Sequence, residues 1–287
     1  MTLRSIEAAA EGLDVEIIVI EDPDGRGPSW ARNRGLDKAT GDMIFFVDAD
    51  DTVKKDFFRR PLSVLDRTGA DLCFFTYSGG PKLNEQMIEG VSAVRERFLP
   101  AFFGYSMDDV RRWNSGGALY RRKELGQVWR CAYRKAFLDR HELRFDEAMT
   151  FYEDAAFLSW CAAFAERAAT IPDELYEYIP SPGGNLASGS GSSRHWNYKF
   201  LVLESRKRLD VLTDGEVWPY CAASCVFSAL EMLRLWKRAG LSPRDAFADI
   251  RRYISDPRVK EALKAFPLSR RHPLVAAAAL FLRLLSR

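Results

Sequence analysis

Paired cysteines are missing from this sequence. Its five cysteines (Cys73, Cys131, Cys161, Cys221 and Cys225) are odd in number, sit among apolar residues and include no Cys-x-x-Cys pair. That excludes a disulfide framework or a zinc knuckle and leaves buried free thiols in a reducing compartment. An excess of one charge is also lacking. Lysine plus arginine (42) and aspartate plus glutamate (40) leave +2, so no global field draws the chain to nucleic acid, and any anion must be held by a local site. Long hydrophobic runs are absent too: the longest, Pro273 to Leu282, falls well short of the roughly 20 residues of a spanning helix. The opening residues, Met1 to Leu13, mix acids with apolar side chains and do not read as a signal peptide, so a cytoplasmic protein is expected. No internal repeat is found.

What is present is 287 residues, 47% of them hydrophobic, enough for one large domain or a domain with an appendage. Short apolar runs at Val15–Ile20, Met43–Val47 and Leu72–Tyr77 alternate with helical patterns at Ser29–Ala39 and Lys55–Leu65. That order predicts βα units and a largely parallel sheet, with strands covered on both faces. Further helices are expected over Val91–Phe103 and Glu147–Ala165, whereas residues 79–126 are hard to read. Residues 181–193 hold five serines and four glycines, the composition of a mobile loop or linker. Helical patterns then run over Trp196–Leu212, Trp218–Ala239, Pro243–Ser255 and Pro273–Leu285. The expected organisation is an α/β domain over 1–180, a loop over 181–195 and a helical region over 196–287.

The strongest local signal is Phe45-Phe46-Val47-Asp48-Ala49-Asp50-Asp51, an apolar strand running into three acids. Ligands of parallel α/β sheets sit at the carboxyl ends of strands, and clustered carboxylates there favour a hard divalent cation such as magnesium or manganese. The competing reading is an acidic turn that caps a helix beginning near Val53, with Asp51 or Thr52 as N-cap. Upstream lie Ala31-Arg32-Asn33-Arg34-Gly35 and Ala39-Thr40-Gly41-Asp42, where Arg32 could contact a base or phosphate. Asp22, after the first apolar run, could accept hydrogen bonds from a base or ribose, or simply close a turn. Glu153-Asp154 opens a helical pattern, and taken alone it reads as a cap.

Taken together, these segments resemble glycosyltransferase family 2, whose members have the GT-A fold. The order is the family's: strand and acidic turn, Ala-Arg-Asn-x-Gly, Ala-x-Gly-Asp, strand with Asp-x-Asp-Asp, then Glu-Asp. Val128–Leu138 with Arg144–Glu147 looks like the stretch preceding that Glu-Asp, and the likeness covers about Thr2 to Ile179. The resemblance implies a GT-A-like, Rossmann-like, mostly parallel sheet flanked by helices. It also implies transfer of a sugar from a nucleotide-sugar, a UDP-sugar for preference, to an acceptor hydroxyl with inversion. Asp154 would be the general base and Asp50 the ligand of Mn2+ or Mg2+. Asp48 would reach the ribose or donor sugar, and Asp22 and Arg32 would contact the base. Glu153, Trp113, Trp129 and the serine–glycine loop would lie toward a saccharide or lipid-linked acceptor, with Arg194 or His195 swinging onto the diphosphate.

The sequence departs from the family in places. It opens at Thr2–Ile6 in what looks like the middle of the helix after the family's first strand, so a fragment or a misplaced start is expected. Glu21-Asp22-Pro23-Asp24 replaces the usual turn, and a strand and helix before Ala31 look to be missing. No Gln-x-x-Arg-Trp occurs, which favours single-sugar addition over polymerisation. Arg270, Arg271 and His272 precede the apolar Pro273–Leu282, which reads either as a helix packed on the domain or as a peripheral membrane contact through 270–287. Asp48 and Asp50 also fit the opening motif of haloacid-dehalogenase-type phosphatases, but the downstream Gly-Asp-x-x-x-Asp of that class is not found. A catalytically degenerate nucleotide-sugar-binding or scaffold protein is the non-enzyme alternative.

Overall fold

The computed structural model describes residues 1–119, 126–180 and 193–286, the side chains of 193–195 excepted. The chain divides into two compact units, residues 1–98 with 124–185 and residues 99–123 with 186–287. The serine–glycine segment 181–192 and the side chains of Arg194 and His195, all read above as a loop at the site, lie outside the described residues.

In the first unit, α1 (Thr2–Ala10) is followed by α2 (Pro28–Lys38), β1 (Met43–Phe45), β2 (Thr52–Val53) and α3 (Arg59–Thr68). Then come β3 (Leu72–Tyr77), β4 (Gln86–Glu89) and α4 (Val91–Phe103), whose last residues belong to the second unit, as does α5 (Met107–Asn114). The chain re-enters the first unit by a 3-10 turn at Val128–Arg130. It continues through β5 (Cys131–Arg134), α6 (Lys135–Arg140), α7 (Glu153–Phe164) and β6 (Arg167–Glu177). The strands pair in the order β1-β5-β3-β6-β2, with β4 also on β6.

The α/β class and the helical carboxyl-terminal region are present. The parity of the sheet requires correction: among the described pairings only β3–β6 is parallel, and the other four are antiparallel. The cause is β5, which enters from the stretch that was hard to read. It lies reversed between β1 and β3, so those two strands share a direction without touching. A second correction concerns Val15–Ile20. This run forms no strand among the described residues, and Ile17 (41%) and Val19 (59%) are exposed. A row of β-branched residues makes a strand only when a neighbour takes up its backbone groups.

The core of this unit is aromatic. Phe57, fully buried, meets Phe45, Phe58 and Phe75 at 5.3, 5.0 and 5.5 Å between ring centroids, and Ile6 and Ala9 of α1 close the same cluster. Helix α3 stops at Gly69, whose φ of 64° lets its N–H return to the Leu65 carbonyl at 2.9 Å. The expected helices at Ser29–Ala39 and Val91–Phe103 are observed within a residue or so, but α7 starts six residues after the expected Glu147, following a left-handed Tyr152.

The second unit gathers α8 (Ser193–Leu212), α9 (Trp218–Leu235), α10 (Pro243–Ser255), α11 (Pro257–Ala265) and α12 (Pro273–Leu285). Helix α9 is central and buries Cys221, Cys225, Val226, Ala229 and Met232. All five cysteines are buried free thiols. Among the described residues no helix is long and apolar enough to cross a membrane.

Truncating Phe57 to alanine should cost about 3–5 kcal/mol of unfolding free energy, since it empties a closed aromatic site. Urea unfolding followed by circular dichroism measures it.

Candidate active site

The acidic segment is a turn between β1 and β2. After β1 the chain leaves the ladder, and Phe46 turns inward against Tyr133 (5.5 Å), Phe145 (5.4 Å) and Phe157 (6.2 Å). Asp48 and Asp50 stay partly or fully exposed, while Asp51 is fully buried. The Asp51 carboxylate accepts the Tyr176 hydroxyl and the Ile179 N–H, each at 2.7 Å. Burial raises its pKa, and those two donors work against the rise. The Tyr176 hydroxyl in turn accepts the Asp48 N–H at 3.1 Å, and Thr2 of α1 donates to the Ala49 carbonyl at 2.8 Å. The acidic turn is thus held at Asp48, Ala49 and Asp51. It does not cap a helix, because Thr52 and Val53 form β2 against Glu177 and Tyr176.

Helix α2 delivers the opposing charge. It starts where Gly27 takes φ 97° and Pro28 fixes the first helical residue. Ser29 donates to the Met149 carbonyl at 2.8 Å. Asn33 clamps the Phe145 backbone with its Nδ2 on the carbonyl (3.0 Å) and its Oδ1 on the N–H (2.9 Å). With the helix so fixed, Arg32 faces three acids. Its Nη2 meets Asp48 Oδ1 at 3.1 Å, and its Nη1 meets Asp154 Oδ1 at 2.6 Å and Glu153 Oε1 at 3.3 Å. The guanidinium lies 5.4 Å from the centre of the Phe145 ring, and that ring stacks on Phe157 at 4.0 Å. Burial disfavours the charge on Arg32, but Asp154, Asp48 and Glu153 more than offset it and hold the group protonated.

Asp154 occupies the first turn of α7, entered through Tyr152 at φ 69°, an uncommon conformation for a non-glycine residue that tends to mark functional sites. Its second oxygen accepts the Val128 N–H at 3.3 Å, and its side chain is 20% exposed. Burial pushes its pKa up to about 7. Arg32 pulls it down, and Glu153 and Asp48 push it further up. A carboxyl balanced near neutrality can accept and release a proton at physiological pH, as a general base must.

The other residues named from the sequence fall as follows. Arg32, read as a contact of the donor base, is engaged by carboxylates instead, and Glu153 is one of its partners. Both oxygens of Asp22 are taken within its own turn, by the N–H groups of Arg26 (2.8 Å) and Gly27 (2.7 Å), which lower its pKa. Trp129, expected toward the acceptor, is 5% exposed and stacks on Tyr176 at 4.1 Å, so it is part of the core. Trp113 belongs to the second unit, where it stacks on His272 at 3.5 Å. Sequence reasoning missed Tyr176, although its alternation with Leu175 and Glu177 marks a strand. The hydroxyl's partners, about 125 positions away, leave no local trace.

Among the described residues no three His, Cys, Asp or Glu side chains are gathered as ready ligands of an ion. The donor set nevertheless suits a hard divalent cation. Asp48 and Asp50 offer carboxylate oxygens at an open strand end, and the neighbouring acids already take a cationic guanidinium as counter-charge.

The first unit thus combines a mixed sheet, acids at one strand end and a carboxylate pair at a later helix start. Residues 2–128 match the model for Glycosyl transferase family 2. The chain is 28% identical over 205 residues to the succinoglycan biosynthesis protein ExoO of Rhizobium meliloti (strain 1021), covering 61% of this chain and 56% of that protein. It is 28% identical over 178 residues to the uncharacterized glycosyltransferase EpsJ of Bacillus subtilis (strain 168), covering 59% and 46%. A third relative is the poly(ribitol-phosphate) beta-N-acetylglucosaminyltransferase TarS of Staphylococcus aureus, 24% identical over 204 residues, covering 70% and 32%. The chain thus spans about half the length, or less, of these relatives. The crystal structure of S. aureus TarS 1–349 in complex with UDP shares the fold, with a TM-score of 0.52 at 18% identity over 99% of this chain and 77% of that one.

NMR titration of the Asp154 carboxyl carbon should give a midpoint near 7. In Arg32→Gln the midpoint should move upward, because the cation that favours the charged form is gone. Tyr176→Phe should cost about 1–3 kcal/mol in urea unfolding by leaving the Asp51 carboxylate short of a donor.

Proposed function

We propose that the protein transfers a hexosyl group from a UDP-sugar to a hydroxyl of a saccharide or lipid-linked acceptor, with inversion, in the synthesis of a cell-surface polysaccharide. The observation that carries this reading is the Asp154 carboxylate, held beside Arg32 and facing Asp48 at the end of β1. The match of residues 2–128 to the family model supports it, as do two relatives: one is a succinoglycan biosynthesis protein, and the other, a beta-N-acetylglucosaminyltransferase, has been solved in complex with UDP.

In the reaction Asp154 takes the proton of the acceptor hydroxyl as its oxygen attacks the anomeric carbon. The bond from that carbon to the diphosphate oxygen breaks, and UDP departs with the electron pair. One displacement from the face opposite the leaving group inverts the configuration, and positive charge grows on the sugar ring as the bond loosens. Asp48 accepts hydrogen bonds from the ribose or the donor sugar. Asp22 would need to exchange its turn contacts for the base. Asp50 is the residue to hold Mn2+ or Mg2+, which when bound supplies positive charge to the departing diphosphate. Arg32 keeps Asp154 and Asp48 apart from one another's charge until substrate arrives. Arg194 and His195, proposed at the diphosphate, lie outside the described residues. The protein is proposed to work in the cytoplasm, where nucleotide-sugars are made.

A donor-binding scaffold without turnover would need no buried carboxyl tuned toward neutrality. The two readings separate in an assay of UDP release from UDP-sugars with manganese. Asp154→Asn should lower turnover by about 10²–10⁴ with donor binding retained, the usual share of a general base. Asp50→Ala should weaken donor binding in the presence of metal. The rate of the unmodified protein should rise with pH through about 7, as Asp154 loses its proton. Turnover unchanged in Asp154→Asn rejects the assignment.

A further inference from the structure

Helix α12 is fixed in the second unit at both ends, so which side it shows is determined. At its start His272 stacks on Trp113 with ring centroids 3.5 Å apart, and just before it Asn114 Nδ2 donates to the Pro267 carbonyl at 2.9 Å. Near its end Arg283 caps α11: Nε donates to the Leu263 carbonyl at 2.6 Å, and Nη2 donates to those of Lys264 (3.2 Å) and Phe266 (2.5 Å). Ala279, Leu282 and Ser286 face inward. A surface helix normally turns charged residues the other way. Here Arg283 is the sole charged residue of Pro273–Leu285, and it is committed to α11.

The outward arc is consequently all apolar. Leu274 (85% exposed), Ala277, Leu280, Phe281 and Leu284 recur at helical spacing with no polar residue between them on that face. Arg270 and Arg271, both exposed, stand immediately before the helix. The surrounding chain is basic as well: residues 234–287 hold thirteen lysines and arginines against four acids, in a protein whose net charge is only +2. An apolar helical face preceded by two exposed arginines in a basic stretch of sequence matches the interface of an anionic bilayer, where acyl chains meet the leucines and phosphate headgroups meet the arginines. A helix that faced only water would carry polar residues on this side.

We propose that the second unit docks on anionic lipid through the outward face of α12, with Phe281, Leu284 and Leu274 entering the acyl boundary and Arg270 and Arg271 at the headgroups. This goes beyond sugar transfer and does not depend on it, because lipid binding is read without donor or acceptor.

The test is flotation of the full chain with phosphatidylcholine vesicles and with vesicles carrying about one-third phosphatidylglycerol, at low and high salt. The chain should float with the anionic vesicles, float poorly with the neutral ones and be released by salt. Phe281→Asp/Leu284→Asp, changes at exposed positions, should lower the partition coefficient about tenfold or more. Its far-UV circular dichroism should be unchanged. Equal flotation of the variant, or no flotation of the unmodified chain, overturns the proposal. So does a dimer in analytical ultracentrifugation that the same variant dissolves, which would assign the face to a second copy. UDP release unchanged in the variant is expected and bears only on the proposed transferase reading.

Discussion

One guanidinium holds the candidate site together. Asp48 comes from the end of β1, Glu153 and Asp154 from the start of α7, and nothing in the local chain brings these segments within reach. Three carboxylates this close repel one another, and burial makes the repulsion stronger. Arg32 neutralises them from a helix that is itself anchored by Ser29 and Asn33 to the segment leading into α7. The acids, the arginine and the aromatic floor of Phe46, Phe145 and Phe157 are therefore one interlocked arrangement. An arginine suits the position better than a lysine would, since its planar fork can serve carboxylates on two sides at once.

A second constraint works from beneath. Tyr176 links the backbone of Asp48 to the side chain of Asp51, so the sheet sets the height and tilt of the acidic turn. Trp129 stacks on Tyr176 and keeps water from that buried pair. The two outward acids and the inward acid of the same short turn consequently have different work. Asp51 is buried and structural, whereas Asp48 and Asp50 retain exposure to solvent.

Much of this arrangement was legible in the sequence, because acids at the end of an apolar strand and an acidic pair at a helix start are local patterns. What was not legible rests on distance. Arg32 reads as a basic residue on a helix face, and its three partners are 16 to 122 positions away. The partners of Tyr176 are equally remote. The parity of the sheet was misjudged for a related reason: alternating strands and helices report the direction of β1 and β3, but not that β5 lies between them reversed. Val15–Ile20 has the composition of a strand, and composition is silent about whether a neighbour exists.

That last segment has a consequence for the protein in solution. A β-branched run with exposed Ile17 and Val19, in no ladder among the described residues, offers backbone groups to which a strand of another copy could add. Its neighbours Asp14, Glu16 and Glu21 are all acidic, and like charges on approaching copies oppose that addition. Salt screens those like charges, so the barrier they raise against such addition falls as ionic strength rises.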